Sequence, residues 1–239
     1  VEKNNEIVKK LKIKDRAQLI YSEVDMVKID EFSFIILCVK PIDFKKTIKS
    51  INRYVHPKQI IISLVAGLKI TSIKEYLLSK NVICRVMPNI FSSVQSSSTA
   101  IFLENKNKNI RNQISELFKY FGTYVFLKKE SELDFFTAFF GGGPAYIFLF
   151  ISILKKILDD YKLTFSNNDD LLISLLKGSA IYLSDNKDIE LNIGKVASKG
   201  GTTEEALKYL TENNKLLNLM KEAIEKATLK SELISNSLK

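Results

Sequence analysis

Over residues 1–128, short runs dense in Ile, Val and Phe alternate with amphipathic stretches whose apolar positions recur every three or four residues. Residues 32–39, 59–65, 82–86, 99–103 and 124–127 read as strands, being short, β-branched and bounded by polar or turn-forming residues. Residues 6–11, 44–54, 70–78 and 109–121 read as the helices between them. This alternation predicts an α/β fold, a doubly wound, Rossmann-like parallel sheet.

From residue 130 onward only helical periodicity follows, so an all-α domain over residues 129–239 is expected after a sheet domain over 1–128. Gly141-Gly142-Gly143-Pro144 reads as a loop, with Pro144 in the first turn of the next helix. Residues 145–154 are apolar on every side, and such a helix must be covered all round. In a domain this small, that cover calls for a partner subunit. Residues 166–170 open a helix running to about residue 183, with Asp169 and Asp170 in its first turn. Leu216, Leu219, Met220, Ala223, Ile224 and Ala227 form the single apolar stripe of a last helix.

The 239 residues, 46% hydrophobic and 26% charged, are ample for a packed core and exclude disorder, collagen-like repeats and a disulfide scaffold. Neither apolar run, 34–39 or 145–154, approaches the about 20 residues of a membrane-crossing helix, so no membrane partner is expected. Net charge is +9, yet the lysines are scattered and no zinc-finger or RRM-like pattern occurs. The excess reads as a solvated Lys-rich surface, with no nucleic-acid partner. Cys38 and Cys84 both fall in apolar strand-like runs, which predicts buried free thiols and a reducing, cytoplasmic location. With His56 as the only histidine, neither a metal site nor a Ser-His-Asp triad is expected. Chemistry here must use a cofactor, or hydroxyls, amides and carboxylates.

Three clusters carry such groups. Cys38-Val39-Lys40-Pro41 ends a strand, and in an open α/β sheet the carboxyl ends of strands face the ligand crevice, where Lys40 is placed to meet a phosphate. Arg85-Val86-Met87-Pro88-Asn89 ends another strand, with Asn89 in a turn. In Ser198-Lys199-Gly200-Gly201-Thr202-Thr203-Glu204-Glu205, two glycines feed a helix, and Thr202 with Glu205 fits a capping box. The same glycine-rich helix start offers backbone N–H groups to a carboxylate or phosphate, with the hydroxyls of Ser198 and Thr203 beside it.

Taken in order, Val39-Lys40-Pro41, Ser63-Leu64-Val65-Ala66-Gly67, Arg85 to Asn89, Gly141 to Tyr146 and Ser198 to Thr203 resemble the motifs of pyrroline-5-carboxylate reductases, over essentially the whole chain. The resemblance implies reduction of 1-pyrroline-5-carboxylate to L-proline with NADPH or NADH, the last step of proline biosynthesis. It also implies a helical domain intertwined with a second subunit, giving homodimers that can assemble into a larger ring. Carried over by the same resemblance, Cys38, Val39, Lys40, Pro41, Val65, Ala66 and Gly67 line the cofactor, with Asp25 nearby and Lys3 near the adenosine ribose. Met87, Asn89, Glu130, Ser198, Gly200, Gly201, Thr202 and Thr203 bind substrate, and Thr203 is the catalytic hydroxyl, hydrogen-bonded to the ring nitrogen.

The sequence departs from the family pattern in places. No G-x-G-x-x-G turn occurs, and Val1-Glu2-Lys3 resembles the stretch after the family's second strand. The expectation is that the complete protein carries that turn and that this chain alone binds NAD(P)H poorly. Asp25 replaces an Asn, Phe140 and Gly142 replace serines, Lys199 replaces a Pro, and Ile193-Gly194 replaces a basic-acidic pair. Two alternatives stay open: a catalytically impaired, reductase-like dimeric interaction module, and a related Rossmann dehydrogenase acting on another small acid. The latter would place a Lys on the interdomain helix, and residues 145–154 contain none.

Overall fold

The computed structural model describes residues 29–163, 165 and 167–237; the helix expected over 6–11, Lys3 and Asp25 lie outside them. These residues form two compact units. One holds the residues up to Gly141 together with those from Thr228 on, and the other holds Gly142–Ala227.

The first unit is a five-stranded sheet in the order β1 (Phe34–Leu37), β2 (Ile60–Ser63), β3 (Val82–Met87), β4 (Ser97–Leu103) and β5 (Gly122–Phe126). Each strand expected from the sequence is present. β1, β2 and β3 are mutually parallel, with Leu37, Ser63 and Arg85 in register, so their carboxyl ends open on the same edge. β2 is buried at every position, as a central parallel strand covered on both faces must be. On one face, Ile61 packs with Phe44, Ile48 and Ile51 of α1 (Phe44–Ile51) and with Ile70 and Ile73 of α2 (Ile70–Tyr76). On the other, Ile60 and Ile62 pack with Ile114 and Phe118 of α3 (Lys108–Phe118). Asn107 caps α3 by accepting from the N–H groups of Asn109 and Ile110.

The sheet departs from the all-parallel expectation at one place: β4 runs antiparallel to β3. A parallel return needs a crossover of a dozen or more residues. The connection, residues 88–96, is too short for one and is a 3-10 turn, Ile90–Val94, capped by Asn89. β5 returns parallel to β4 because α3 supplies the crossover.

α4 (Glu132–Phe136) buries Leu133 and Phe136 against Ala100. No loop follows it at Gly141–Pro144. A π-helical turn, Thr137–Gly141, leads with one bend at Gly142 into α5 (Gly143–Asp160), in whose first turn Pro144 sits as expected. The missing N–H of proline costs nothing at that position, so the helix starts there rather than breaking. The apolar run is therefore part of a longer helix than its sequence indicates. The stretch Glu132–Asp160 is long and apolar enough, by length and composition, to cross a membrane, against the expectation that no segment here is.

The second unit contains α5, α6 (Asn168–Asp185), α7 (Ile189–Val196), α8 (Thr202–Thr211) and the start of α9 (Lys215–Ser237). α7 has no counterpart in the sequence reading. Its N-cap is Asp188, which accepts from the Leu191 N–H. The helices leave Ile147, Leu149, Phe150, Leu175, Leu191 and Leu217 exposed. In the first unit, the end of α9 is tied down where Asp134 accepts from the hydroxyls of Ser231 and Ser235 at 2.7 and 2.9 Å.

Candidate active site

At the carboxyl edge of the parallel strands, three segments come together. After β1, Cys38 and Lys40 are exposed, Val39 packs against the core, and Lys40 is extended ahead of a 3-10 turn begun by Pro41. Cys38 is thus not buried as expected, because β1 has ended at Leu37; its partial enclosure still pushes its thiol pKa up. Cys84 is buried, and burial pushes its thiol up to about 12, so it stays neutral and inert. After β2, Ala66 is exposed and Gly67 has φ +75°, a conformation that favours glycine. Val65 turns its side chain into the core, leaving only its backbone for a ligand.

After β3, Met87 packs against Ala100, Leu133 and Phe136. The Asn89 side chain is engaged at both ends: Oδ1 accepts from the Phe91 N–H and Nδ2 donates to the Phe140 carbonyl, each at 3.1 Å. Asn89 therefore joins the end of β3 to the π-helical turn. Glu130 is also engaged. Its Oε1 accepts from Arg85 Nη1 at 2.9 Å and from the Ile70 N–H at 2.8 Å. Arg85 is 5% exposed, and a guanidinium so buried requires such a partner.

In the helical unit, Ser198 to Thr203 form a tight turn between α7 and α8. Gly200 has φ +76°, and Gly201 lies so close beneath the Ser198 carbonyl that a Cβ there would meet its oxygen at 2.9 Å. Both glycines are thus required by the turn itself. The expected Thr202–Glu205 capping box does not form. Gly201 is the N-cap, which moves Thr202 inside the helix, and it is Glu204 that reaches back to accept from the Gly200 N–H at 2.7 Å. The Gly201 N–H donates to the Ser198 carbonyl. That leaves the N–H groups of Thr202, Thr203 and Glu204 with no acceptor inside the helix, the donor set of an anion site.

The pairing of Arg85, the cap made by Glu204 and the π-helical turn are structural features that the sequence pattern does not predict. A charged residue inside the apolar run Val82–Met87 was the available signal for Arg85.

Comparison with known proteins identifies the family. The model for pyrroline-5-carboxylate reductase dimerisation matches residues 130–234. The pyrroline-5-carboxylate reductase of Aquifex aeolicus is 36% identical over 190 residues, covering 77% of this chain and 68% of that protein. Pyrroline-5-carboxylate reductase 2 of Bacillus subtilis is 32% identical over 181 residues, covering 75% of this chain and 64% of that protein. Among solved structures, the Coxiella burnetii pyrroline-5-carboxylate reductase has a TM-score of 0.78 at 27% identity, covering 86% of this chain and 77% of that one. The NADP-bound Plasmodium falciparum pyrroline carboxylate reductase has a TM-score of 0.76 at 27% identity, covering 94% of this chain and 85% of that one. With a parallel-dominated sheet, a helical dimerisation region and these relatives, the chain belongs to the pyrroline-5-carboxylate reductase family.

Proposed function

We propose that the protein reduces 1-pyrroline-5-carboxylate to L-proline with NADPH or NADH, closing proline biosynthesis in the cytoplasm. The observation that carries this reading, in a member of this family, is the Ser198–Thr203 turn: two conformationally required glycines open α8 with unpartnered N–H groups. We assign residues 1–128 to the dinucleotide and 129–239 to substrate and dimerisation. The functional unit is a homodimer, in which a second copy covers the apolar helices, and dimers assemble further into a ring.

The strand ends fit a dinucleotide. Lys40 offers an exposed cation, Ala66 an exposed surface without bulk, and Gly67 the positive-φ turn that follows it. Val39, Lys40, Pro41, Ala66 and Gly67 would hold the cofactor, with the Val65 backbone, Cys38, Asp25 and Lys3 completing the set. The NADP-bound relative supports this choice of ligand. Bound there, a reduced nicotinamide supplies a hydride for the C=N carbon.

The chain's own residues bind and orient. The N–H groups of Thr202 and Thr203, with the Ser198 hydroxyl, take the substrate carboxylate, aided by the helix dipole. Gly200 and Gly201 bring those groups close. The Thr203 hydroxyl accepts a hydrogen bond from the ring nitrogen and holds it as the amine forms. An imine that arrives protonated needs no strong acid, in keeping with a site built without histidine. Met87 and Asn89 complete the substrate set, Asn89 by fixing the end of β3, while Glu130, engaged by Arg85 and the Ile70 N–H, acts indirectly through the backbone it holds.

The test is to incubate the complete protein with 1-pyrroline-5-carboxylate and either cofactor, following nucleotide absorbance and quantifying L-proline by chromatography. Stoichiometric proline is expected. Its absence with both cofactors rejects the assignment.

A further inference from the structure

We infer that Glu130 is a positioning residue, whose carboxylate fixes the loop from Leu64 to Lys69 through the Ile70 N–H and is itself held by Arg85. The inference rests on the proposed placing of the dinucleotide at Ala66 and Gly67. That loop is pinned at its start, where the Leu64 N–H donates to the Leu37 carbonyl at 2.9 Å and the Val65 N–H to Ser63 Oγ at 3.3 Å. At its far end Glu130 Oε1 takes the Ile70 N–H, the first of α2. The same oxygen meets Arg85 Nη1, and the side chains are 6% and 22% exposed, so the pair is a fixed post and not a surface contact. Its charge is already balanced by the guanidinium, which makes Glu130 a poor direct partner for a cationic imine. It acts instead on the shape of the loop that meets the nucleotide.

Two pairs of variants of the complete protein test this, each read by NADPH affinity in fluorescence titration and by substrate KM at saturating NADPH. Glu130→Gln keeps an acceptor oxygen for both donors, and its NADPH affinity should stay within about threefold of wild type. Glu130→Ala removes the acceptor and should weaken NADPH about tenfold, the scale of lost preorganisation, with substrate KM changed less than about twofold. Because Glu130→Ala strands a buried guanidinium and can fail to fold, a second pair leaves the ion pair intact. Ile70→Pro deletes the N–H at a helix start that accommodates proline, after Lys69 at φ −72°, ψ 152°. Ile70→Val trims the same side chain and keeps the N–H. NADPH should bind about tenfold more weakly to the proline variant than to the valine one.

A large rise in substrate KM in both Glu130 variants, at unchanged NADPH affinity, would make Glu130 a direct substrate ligand and overturn the inference. So would equal NADPH affinity in the two Ile70 variants. Gly67→Ala, strained at φ +75°, separates the two layers of argument. If it leaves NADPH affinity intact, the placing of the cofactor is wrong and the inference falls with it. If it weakens NADPH while the Glu130 and Ile70 variants do not, only the link through Glu130 fails.

Discussion

In the sheet unit, Ile48, Ile61, Ile62, Ile70, Ile73, Ile101 and Ile114 have no exposed surface, whereas in the helical unit Leu149, Phe150, Leu175 and Val196 each leave more than half of theirs exposed. Among the described residues of 142–227, Leu172 is the one large apolar side chain that is buried. The contrast has a geometric origin. A sheet offers two apolar faces, and here α1 and α2 cover one while α3 covers the other. Helices that are apolar on every side have no polar face to turn outward and need a further layer. In a family with a named dimerisation region, that layer is a second copy of the chain.

The largest effect expected from breaking this contrast is on assembly. Phe150→Glu puts a charge into a surface that must be covered and should weaken self-association at least about a hundredfold, a loss on the hot-spot scale. Leu78→Glu, at a still more exposed apolar residue of the sheet unit, should leave the oligomer unchanged. Sedimentation of both variants at micromolar concentration decides it, and an intact Phe150→Glu dimer would break the comparison.

Next in size is the cost of a core cavity. Ile62→Ala should lose about 2–5 kcal/mol in denaturant melts at any protein concentration. Leu175→Ala, in the helical unit, should shift the melt in a concentration-dependent way, because its cover comes from association.

The cysteines sharpen the same point. Cys84 should resist alkylation until denaturant is added, its thiol being buried and held up at about 12, while exposed Cys38 reacts in the folded state. Cys84 should stay protected even in Phe150→Glu, since the sheet unit closes its own core. Labelling followed by mass spectrometry checks both.

The smallest effects lie in the turn before α8. Thr203→Ala should lower kcat and kcat/KM together by about tenfold, the worth of a hydrogen bond made mainly to the forming amine. Thr202→Ala should leave stability within about 0.5 kcal/mol, because Gly201 and not Thr202 is the N-cap. Steady-state kinetics and thermal melts of the two variants separate these roles.

Much of this architecture was legible along the chain. The β-branched runs became β1 to β5, and the spacing of Phe44, Ile48 and Ile51 became the buried stripe of α1, because burial of a repeating face is a local property of the pattern. The glycines of the Ser198–Thr203 turn were legible for the same reason, since positive φ and close backbone approach act on the residue itself. The cap was read one residue late. Thr-x-x-Glu is a local signal, but the approach of the Ser198 carbonyl over Gly201 set where the helix begins.

What the sequence by itself determined was the five strands, most of the helices and the family to which the motifs belong. The tertiary structure alone decided the antiparallel course of β4, the helical path through Gly141 to Pro144, and the meeting of Arg85 with Glu130. Those two residues stand 45 positions apart, and their charges find each other only because β3 ends beside the chain that leaves β5. Propensity and periodicity act over a few neighbouring residues. A buried ion pair depends on where the whole path of the chain brings two side chains out of water, and no local pattern encodes that path.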